Sequence, residues 1–235
     1  MTIVVEPTVV ETVDLAVTPL RELNQRLHDV GRSGTGSRSW RVLHPNGAHA
    51  LACGLDADID VEIDGHAGYY CAGMNQRATV RVRGSVGTGV AENMMSGLVV
   101  VDGNASQSAG ATAHGGLLVI HGDASARCGI SLKGADIVVR GSVGHMSAFM
   151  AQAGRLVVCG DAGEALGDSI YEARLYVAGE VATLGADCIE KELRAEHVEE
   201  VRLLLSRAGI DADPASFRRY GSARKLYHFH VDNAY

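Results

Sequence analysis

The chain has 235 residues, 46% of them hydrophobic, and a formal net charge of −7. This apolar content is enough for one domain with a core, and an acidic balance with three phenylalanines and one tryptophan disfavours nucleic-acid binding. Five cysteines, an odd number, argue against a disulfide framework. No apolar run approaches 18 residues and no basic segment precedes an apolar one at the N-terminus, so we expect a cytoplasmic protein.

Residues 1–53 are predicted to precede the main part of the fold. Residues 1–17 are typical of extended chain, and a helix is predicted to follow with Thr18 as its N-cap and Pro19 at its first position. Residues 31–39 have the composition of a flexible linker. Residues 40–54 match the repeat that follows only in part, and we interpret them as a degenerate first coil.

Residues 54–188 contain a repeat of 19 residues. Val, Ile or Leu stands two and four residues before each repeat glycine, and this spacing puts both side chains on one face of a strand. The glycines of the repeat are Gly65, Gly84, Gly103, Gly122, Gly141, Gly160 and Gly179. A fixed period near 20 residues indicates coils that bury their apolar sides by stacking. The sequence therefore predicts an all-β fold: a single-stranded, right-handed parallel β-helix of about seven coils, with helical segments at both ends.

Small residues mark the corners of the predicted coils. The positions three and seven residues after each glycine hold only Gly, Ala or Ser. Small side chains let the backbone turn tightly and let successive coils approach. We therefore expect the repeat glycines to lie at structural turns, and we expect a positive φ to explain glycine at the Gly122 corner.

The outward strand position changes character along the repeat. Three residues before the glycine stand Glu62 and Arg81, and after them only apolar residues: Val100, Val119, Val138, Val157 and Tyr176. An outward position that met water would be polar, so this face is predicted to be covered from the third coil on, by the chain's own terminal segments or by a partner. Together with side chains of the far arc of the coils and of the tail, the candidate interface residues are Leu98, Val100, Leu117, Val119, Met94, Met95, Met146, Phe149, Met150, Tyr171 and Tyr227.

Residues 189–235 are predicted to form a C-terminal block. Residues 189–208 have the pattern of a helix closed by Gly209, and a shorter helix is predicted from Asp213 through Arg219. The tail from Ser222 is typical of a strand or of an arm on a surface. We expect the two terminal blocks to cap the solenoid, because bare end coils expose unpaired ladders.

No residue is predicted to be catalytic, cofactor-binding or metal-binding. Cys71 and Cys128 share a column but lie three coils apart, about 14 Å, which disfavours a metal cluster. Asp123 and Asp161 share another column, but Ser142 separates them, which disfavours the clustered carboxylates of a calcium-dependent lyase. The cysteines are expected to be small buried side chains.

The columns, and above all residues 115–188, resemble the glycine-repeat (G-x-x-G-x-x-x-G) β-helix domain at the C-terminus of the large chain of glutamate synthase. With its helical tail and the ending RYGSARKLYHF, the sequence is most similar to the β-helix subunit of the three-part glutamate-synthase-like enzymes, of which N-methylglutamate synthase is the best known. The likeness covers about residues 54–235 and is carried by residues 97–133 and 149–173. The C subunit of formylmethanofuran dehydrogenase is similar to the same β-helix, but the tail fits it less well.

This resemblance implies a scaffold subunit with no active site or cofactor of its own. In such hetero-oligomers one partner is a class II glutamine amidotransferase, and another is an α/β-barrel synthase that holds FMN and an iron–sulfur cluster. Three alternatives stay open. The first is a β-helix subunit of a formylmethanofuran dehydrogenase or formyltransferase type of complex, the second a self-contained β-helix enzyme, and the third a homo-oligomeric structural protein.

Overall fold

The structure is a computed structural model that describes residues 10–34, 36 and 38–224. Its described part contains eleven strands, two helices and one 3₁₀ turn at Pro214–Ser216. The helices are α1 (Leu20–Ser33) and α2 (Ala195–Ala208). The strands are β1 (Val10–Asp14), β2 (Ser39–Leu43), β3 (Asp60–Asp64), β4 (Thr79–Val82), β5 (Leu98–Val101), β6 (Leu117–Ile120), β7 (Lys133–Val139), β8 (Ala153–Val158), β9 (Arg174–Val177), β10 (Cys188–Lys191) and β11 (Arg218–Ser222).

All eleven strands form one sheet in the order β1-β2-β3-β4-β5-β6-β7-β8-β9-β11-β10. From β1 to β9 every pair is parallel, and most partners are 19 residues apart, as in Val80 with Val99 and Val99 with Leu118. The predicted parallel β-solenoid of about seven coils is confirmed, while its handedness stays a prediction. The sheet continues across the predicted limits at residues 53/54 and 188/189, because β2 contributes the predicted first coil and β11 inserts antiparallel between β9 and β10.

The predicted inward columns form the core. All 14 Val, Ile and Leu side chains that stand two and four residues before the repeat glycines are 1% exposed or less. Spacing by two on short strands aims both side chains of each coil at the same interior. Stacking of identical coils then places like side chains on top of one another, which is how a solenoid removes apolar surface from water.

The far arc of the coils turns through left-handed backbone. In six successive coils the residues five, seven and nine positions after the glycine have positive φ, as Gly110 (65°) and Ala148 (58°) do. Their amides bond alternately to the coil ahead and the coil behind: Asn93 donates to the carbonyl of Ala111, and Gly110 donates to that of Val90. Only Gly or Ala occupies the middle of these three positions, because it faces the packed interior: Ala91 and Ala148 are fully buried, and a Cβ atom on Gly110 would lie 2.5 Å from the Ile137 Cδ1 atom.

The positive φ expected at Gly122 is wrong, and of the seven repeat glycines only Gly65 has one. Glycine is required there by close stacking instead. A Cβ atom on Gly122 would lie 2.7 Å from the carbonyl oxygen of Gly103, and one on Gly84 would lie 2.7 Å from that of Gly65. The backbones of successive glycines touch directly, and Gly122 donates its amide hydrogen to Gly103 across 3.0 Å.

Helix α1 covers the N-terminal end of the solenoid. Its Leu23 and Leu27 are buried in the main core, and Asn24 exchanges hydrogen bonds with the backbone of Ala50 and Ala52. The prediction of a capping block is confirmed at this end. The helix has Pro19 as its N-cap rather than its first residue, so the predicted boundary is wrong by one position, and the helix continues three residues into the predicted linker.

The C-terminal block differs from the prediction. Helix α2 begins at Ala195 and not at residue 189, because the preceding residues form β10 against β11. The predicted helix up to Arg219 is only the 3₁₀ turn at Pro214–Ser216, followed by a strand. Helix α2 lies on the outer face of the sheet instead of on the end of the solenoid. Tyr227 and the remainder of the tail lie outside the described residues.

Candidate functional site

The outer face of strands β6–β9, called here the covered half, is closed by the chain itself. Its apolar column packs with Val201, Leu204 and Leu205 of α2 and with Phe217 in a second core cluster. Leu117 and Val119 are 2% and 1% exposed as a result. Their assignment as interface residues is therefore wrong: the cover is internal, because the amphipathic face of α2 takes the place expected for a partner.

The other candidate interface residues divide by exposure. Met94 is fully buried in the main core, so its assignment is wrong too. Leu98 and Val100 are partly buried at the margin of the second cluster. On the far arc, Met146 and Phe149 are partly buried. Three candidates offer exposed side chains, namely Met95 (49%), Met150 (40%) and Tyr171 (37%).

A charged network fixes α2 on the covered half. Glu200 of the helix accepts a hydrogen bond from the Tyr176 hydroxyl and pairs with Arg174 at 2.7 Å and with Arg155 at 3.0 Å. Burial and the neighbouring Glu200 carboxylate raise the pKa of Tyr176, so the phenol stays a hydrogen-bond donor at neutral pH. These groups are partly removed from water, so their hydrogen bonds and ion pairs fix the position of the helix on the sheet and also help to hold it there.

Asp136 lies beneath the same helix. Its carboxylate is within 3.4 Å of Arg155 and 3.6 Å of Arg207. Burial nevertheless raises the pKa of this carboxyl, and the two arginines offset the effect only in part. One of its oxygens is buried without a hydrogen-bond partner in the structure, which agrees with a carboxylate held in an unfavourable place.

The outer face of strands β2–β5, called here the open half, carries charges instead. Arg41 pairs with Asp64 at 2.7 Å, Arg81 with Asp102 at 2.8 Å, and Arg83 with Glu62 at 2.7 Å. The Arg83 guanidinium lowers the pKa of the Glu62 carboxyl through their hydrogen bond. A groove of about 380 Å³ runs along this half at the beginning of β1–β4. Its rim offers both donors and acceptors to a polar surface.

A ladder of polar side chains runs down the coils directly after the repeat glycines. The side chain on one coil accepts a hydrogen bond from the backbone amide one coil later, as Asp123 does from Ser142 at 2.8 Å and Asp161 does from Glu180 at 2.8 Å. The other members of the ladder are His66, Ser85, Asn104 and Ser142. Sequence reasoning missed this role, although the signal was available: a short side chain with an acceptor atom follows glycine after glycine.

Three of the five cysteines, Cys71, Cys128 and Cys188, are buried thiols, while Cys53 and Cys159 are partly buried. Desolvation raises the pKa of Cys71 and Cys128 to about 12, and that of Cys188 to about 11. These groups are protonated at neutral pH and so are poor nucleophiles and metal ligands. In residues 10–34, 36 and 38–224 no group of three or more His, Cys, Asp or Glu side chains could hold a metal ion.

The chain has a relative that is similar to it over almost its whole length. Protein GlxC of Rhizobium meliloti (strain 1021) is 60% identical to the chain over 223 residues, which are 94% of this chain and 97% of GlxC. The chain belongs to the GlxC family. Because the match takes in almost all of GlxC, that relative is a chain of similar extent and not a larger enzyme that contains a solenoid. No family model and no solved structure matches the chain. Neither helix of the described part is long and apolar enough to cross a membrane.

Proposed function

We propose that the chain is a cytoplasmic scaffold subunit of a glutamate-synthase-like complex, related most closely to N-methylglutamate synthase. The observation that carries the proposal is the solenoid of 19-residue coils stacked glycine on glycine, as in Gly103 on Gly84, since this repeat is the feature that the sequence shares with glutamate synthase. GlxC supports a separate subunit, because it has nearly the same extent as this chain. The chain would hold a glutamine amidotransferase and an FMN and iron–sulfur synthase in register, so that a reactive nitrogen species passes between their sites.

The chemistry of the coils supports a structural role over a catalytic one. The acidic side chains that share a column, Asp123 and Asp161, each bind a backbone amide of the next coil. The buried thiols are held in their protonated form. These aspartates and thiols are thus committed to stacking or to the core, and FMN and the iron–sulfur cluster are assigned to the partner.

Two surfaces suit the docking of partners. The open half presents a groove with alternating charges, which fits a polar partner surface and fixes its register by charge complementarity. The exposed Met95, Met150 and Tyr171 lie at the far arc of the coils. Flexible thioether side chains and an aromatic ring are typical of protein contact surfaces.

The test is an affinity purification of the tagged chain from its native cell, followed by mass spectrometry and an absorbance spectrum. We expect a glutamine amidotransferase and a yellow-brown flavoprotein to be recovered with it. The variant Met95→Glu/Met150→Glu should lose at least one partner. The matched control is Leu203→Glu, which places a charge at an equally exposed apolar residue on α2 and should retain both.

Two results would overturn the proposal. One is recovery of the chain alone, as a monomer or as a homo-oligomer. The other is stoichiometric FMN binding or glutaminase activity in the purified single chain, because either activity belongs to a partner under this proposal.

A further inference from the structure

Two cations lie directly opposite each other at the C-terminal end of the sheet. Lys191 of β10 faces Arg219 of the antiparallel neighbour β11. Side chains in such positions have Cβ atoms about 4.5–5.5 Å apart, and like charges there are destabilising. In a chain with a net charge of −7, carboxylates are abundant enough to have prevented this arrangement.

Three other arginines of the outer sheet face have carboxylate partners. Arg41 pairs with Asp64, Arg81 with Asp102, and Arg174 with Glu200. Within the described ranges, no carboxylate oxygen lies within 4.0 Å of Lys191 or Arg219. The outward column of the sheet therefore ends in two adjacent charges that the described chain does not neutralise.

Arg219 also has a buried donor without an acceptor. Its side chain is half-buried, and its Nη1 atom donates to the Glu192 carbonyl at a long 3.3 Å. Its Nε atom is buried with no hydrogen-bond partner in the structure. A buried donor left unpaired is costly, whereas a hydrogen bond to an anion is among the strongest that a guanidinium makes.

Both cations open onto one small pocket of about 170 Å³. Arg174, Arg224 and Tyr171 contribute to its wall, but Arg174 and Arg224 have partners in Glu200 and Asp187, so Lys191 and Arg219 are the cations of the lining left without a carboxylate of the described chain. Glu172 is the carboxylate of the lining, and no cation lies within ion-pair distance of it in the described chain. The volume is below the roughly 300–1,000 Å³ of pockets that enclose a whole ligand, and it suits one charged group.

We propose that this pocket is an oxyanion site that takes a single carboxylate or phosphate group, with Lys191 and Arg219 as its ligands. The bound group would neutralise the opposed cations and would accept hydrogen bonds from the Lys191 ammonium and from the part of the Arg219 guanidinium that faces the pocket. The group can come from a free phosphate-type anion or from an acidic segment of another protein. The proposal does not rest on the scaffold role, because it is argued from two cations that no carboxylate of the described residues pairs with.

The test measures the thermal midpoint of the purified full chain while inorganic phosphate or a glutamate-rich peptide is added at constant ionic strength, set with sodium chloride. Binding to the folded state raises the midpoint. In Lys191→Gln this rise should be lost, because we expect the affinity for the anion to fall by about tenfold or more. Lys133→Gln is the matched control, since it removes an exposed lysine at the beginning of β7 and should respond as the wild type does.

A second measurement uses Lys191→Gln without added phosphate or peptide. Lys191→Gln removes the repulsion between the opposed cations, so its midpoint in dilute chloride should equal or exceed that of the wild type. A response to phosphate identifies a small anion as the source, and a response to the peptide alone identifies a protein carboxylate. The proposal fails if neither probe exceeds chloride, or if Lys191→Gln and Lys133→Gln respond alike.

Discussion

The open and covered halves of the outer face are built by the same repeat but differ in the surface they carry: one is charged and the other is apolar. The inward columns are equally buried behind the two halves: Val80 behind the open half and Leu156 behind the covered half are both fully buried. In front, the open half carries Glu62 and Arg81 in ion pairs, while the covered half carries Val119 and its aliphatic neighbours beneath α2. The repeat fixes the stacking of the coils, and a single outward position per coil decides whether that coil meets water or a helix.

This difference separates what holds the coils together from what holds the helix on them. Glycine contacts and inward side chains run through both halves without interruption. The helix depends on its own apolar stripe and on Glu200, which is held by Arg155 and Arg174. Substitutions at equivalent repeat positions should therefore have very different costs in the two halves, unless they touch the shared glycine contacts.

The largest contrast is expected from Val119→Glu. This variant places a carboxylate without a partner in the cluster beneath α2, where Val119 is 1% exposed. We expect the free energy of unfolding of the isolated chain to fall by about 4 kcal/mol or more. Urea unfolding followed by circular dichroism measures it.

The reverse exchange, Glu62→Val, is the control in the open half. It removes only the partly exposed pair with Arg83, so its cost should stay below about 1 kcal/mol. An isolated Val119→Glu chain as stable as the wild type would show that α2 is not the cover of this face.

The next effect concerns the contacts that the two halves share. Gly103→Ala in the open half and Gly160→Ala in the covered half each place a Cβ atom 2.6 Å from a serine Oγ atom and 2.9 Å or 2.8 Å, respectively, from the glycine carbonyl oxygen of the preceding coil. Both should lower the free energy of unfolding by a similar amount, about 2–3 kcal/mol. Gly221→Ala is the control, because its Cβ atom would have no neighbour closer than 3.8 Å. Unequal losses in the same urea experiment would mean that the helix also supports the stacking of the coils.

The columns of the repeat could be predicted because the period repeats one set of physical demands many times. Ile63 and its equivalents reveal the strand and its inward face, and the switch from Arg81 to Val100 reveals that a cover begins. The identity of the cover could not be predicted, since an apolar column has the same sequence signature under a helix of the chain and under a partner. The burial of Leu117 and Val119 by α2 is therefore a result that only the structure supplies.

The reason for glycine was also hidden in the sequence. Glycine at a repeat corner is compatible with a positive φ and with a close backbone contact equally well. At Gly122 the close contact is the reason. The insertion of β11 between β9 and β10 is a pairing between distant segments, which local patterns near Arg219 do not encode. For the same reason the opposition of Lys191 and Arg219 could not be read from either segment alone.

The smallest expected contrast is in how stability depends on pH. One buried carboxyl of the covered half and one paired carboxyl of the open half should change the free energy of unfolding in opposite directions as pH rises. Burial raises the pKa of Asp136 above its ordinary 3.8, so the folded chain holds this proton more tightly than the unfolded chain does, and stability is lost as pH rises through the raised pKa. The hydrogen bond from Arg83 lowers the pKa of Glu62 below its ordinary 4.5, so its stabilisation is present above that value and is lost as pH falls through the lowered pKa. Relative to wild type, Asp136→Asn should gain stability from acid to neutral pH, while Glu62→Gln should lose stability over the same range. Urea unfolding of both variants between acid and neutral pH measures this, and parallel changes would show that the covered half does not desolvate its carboxylate.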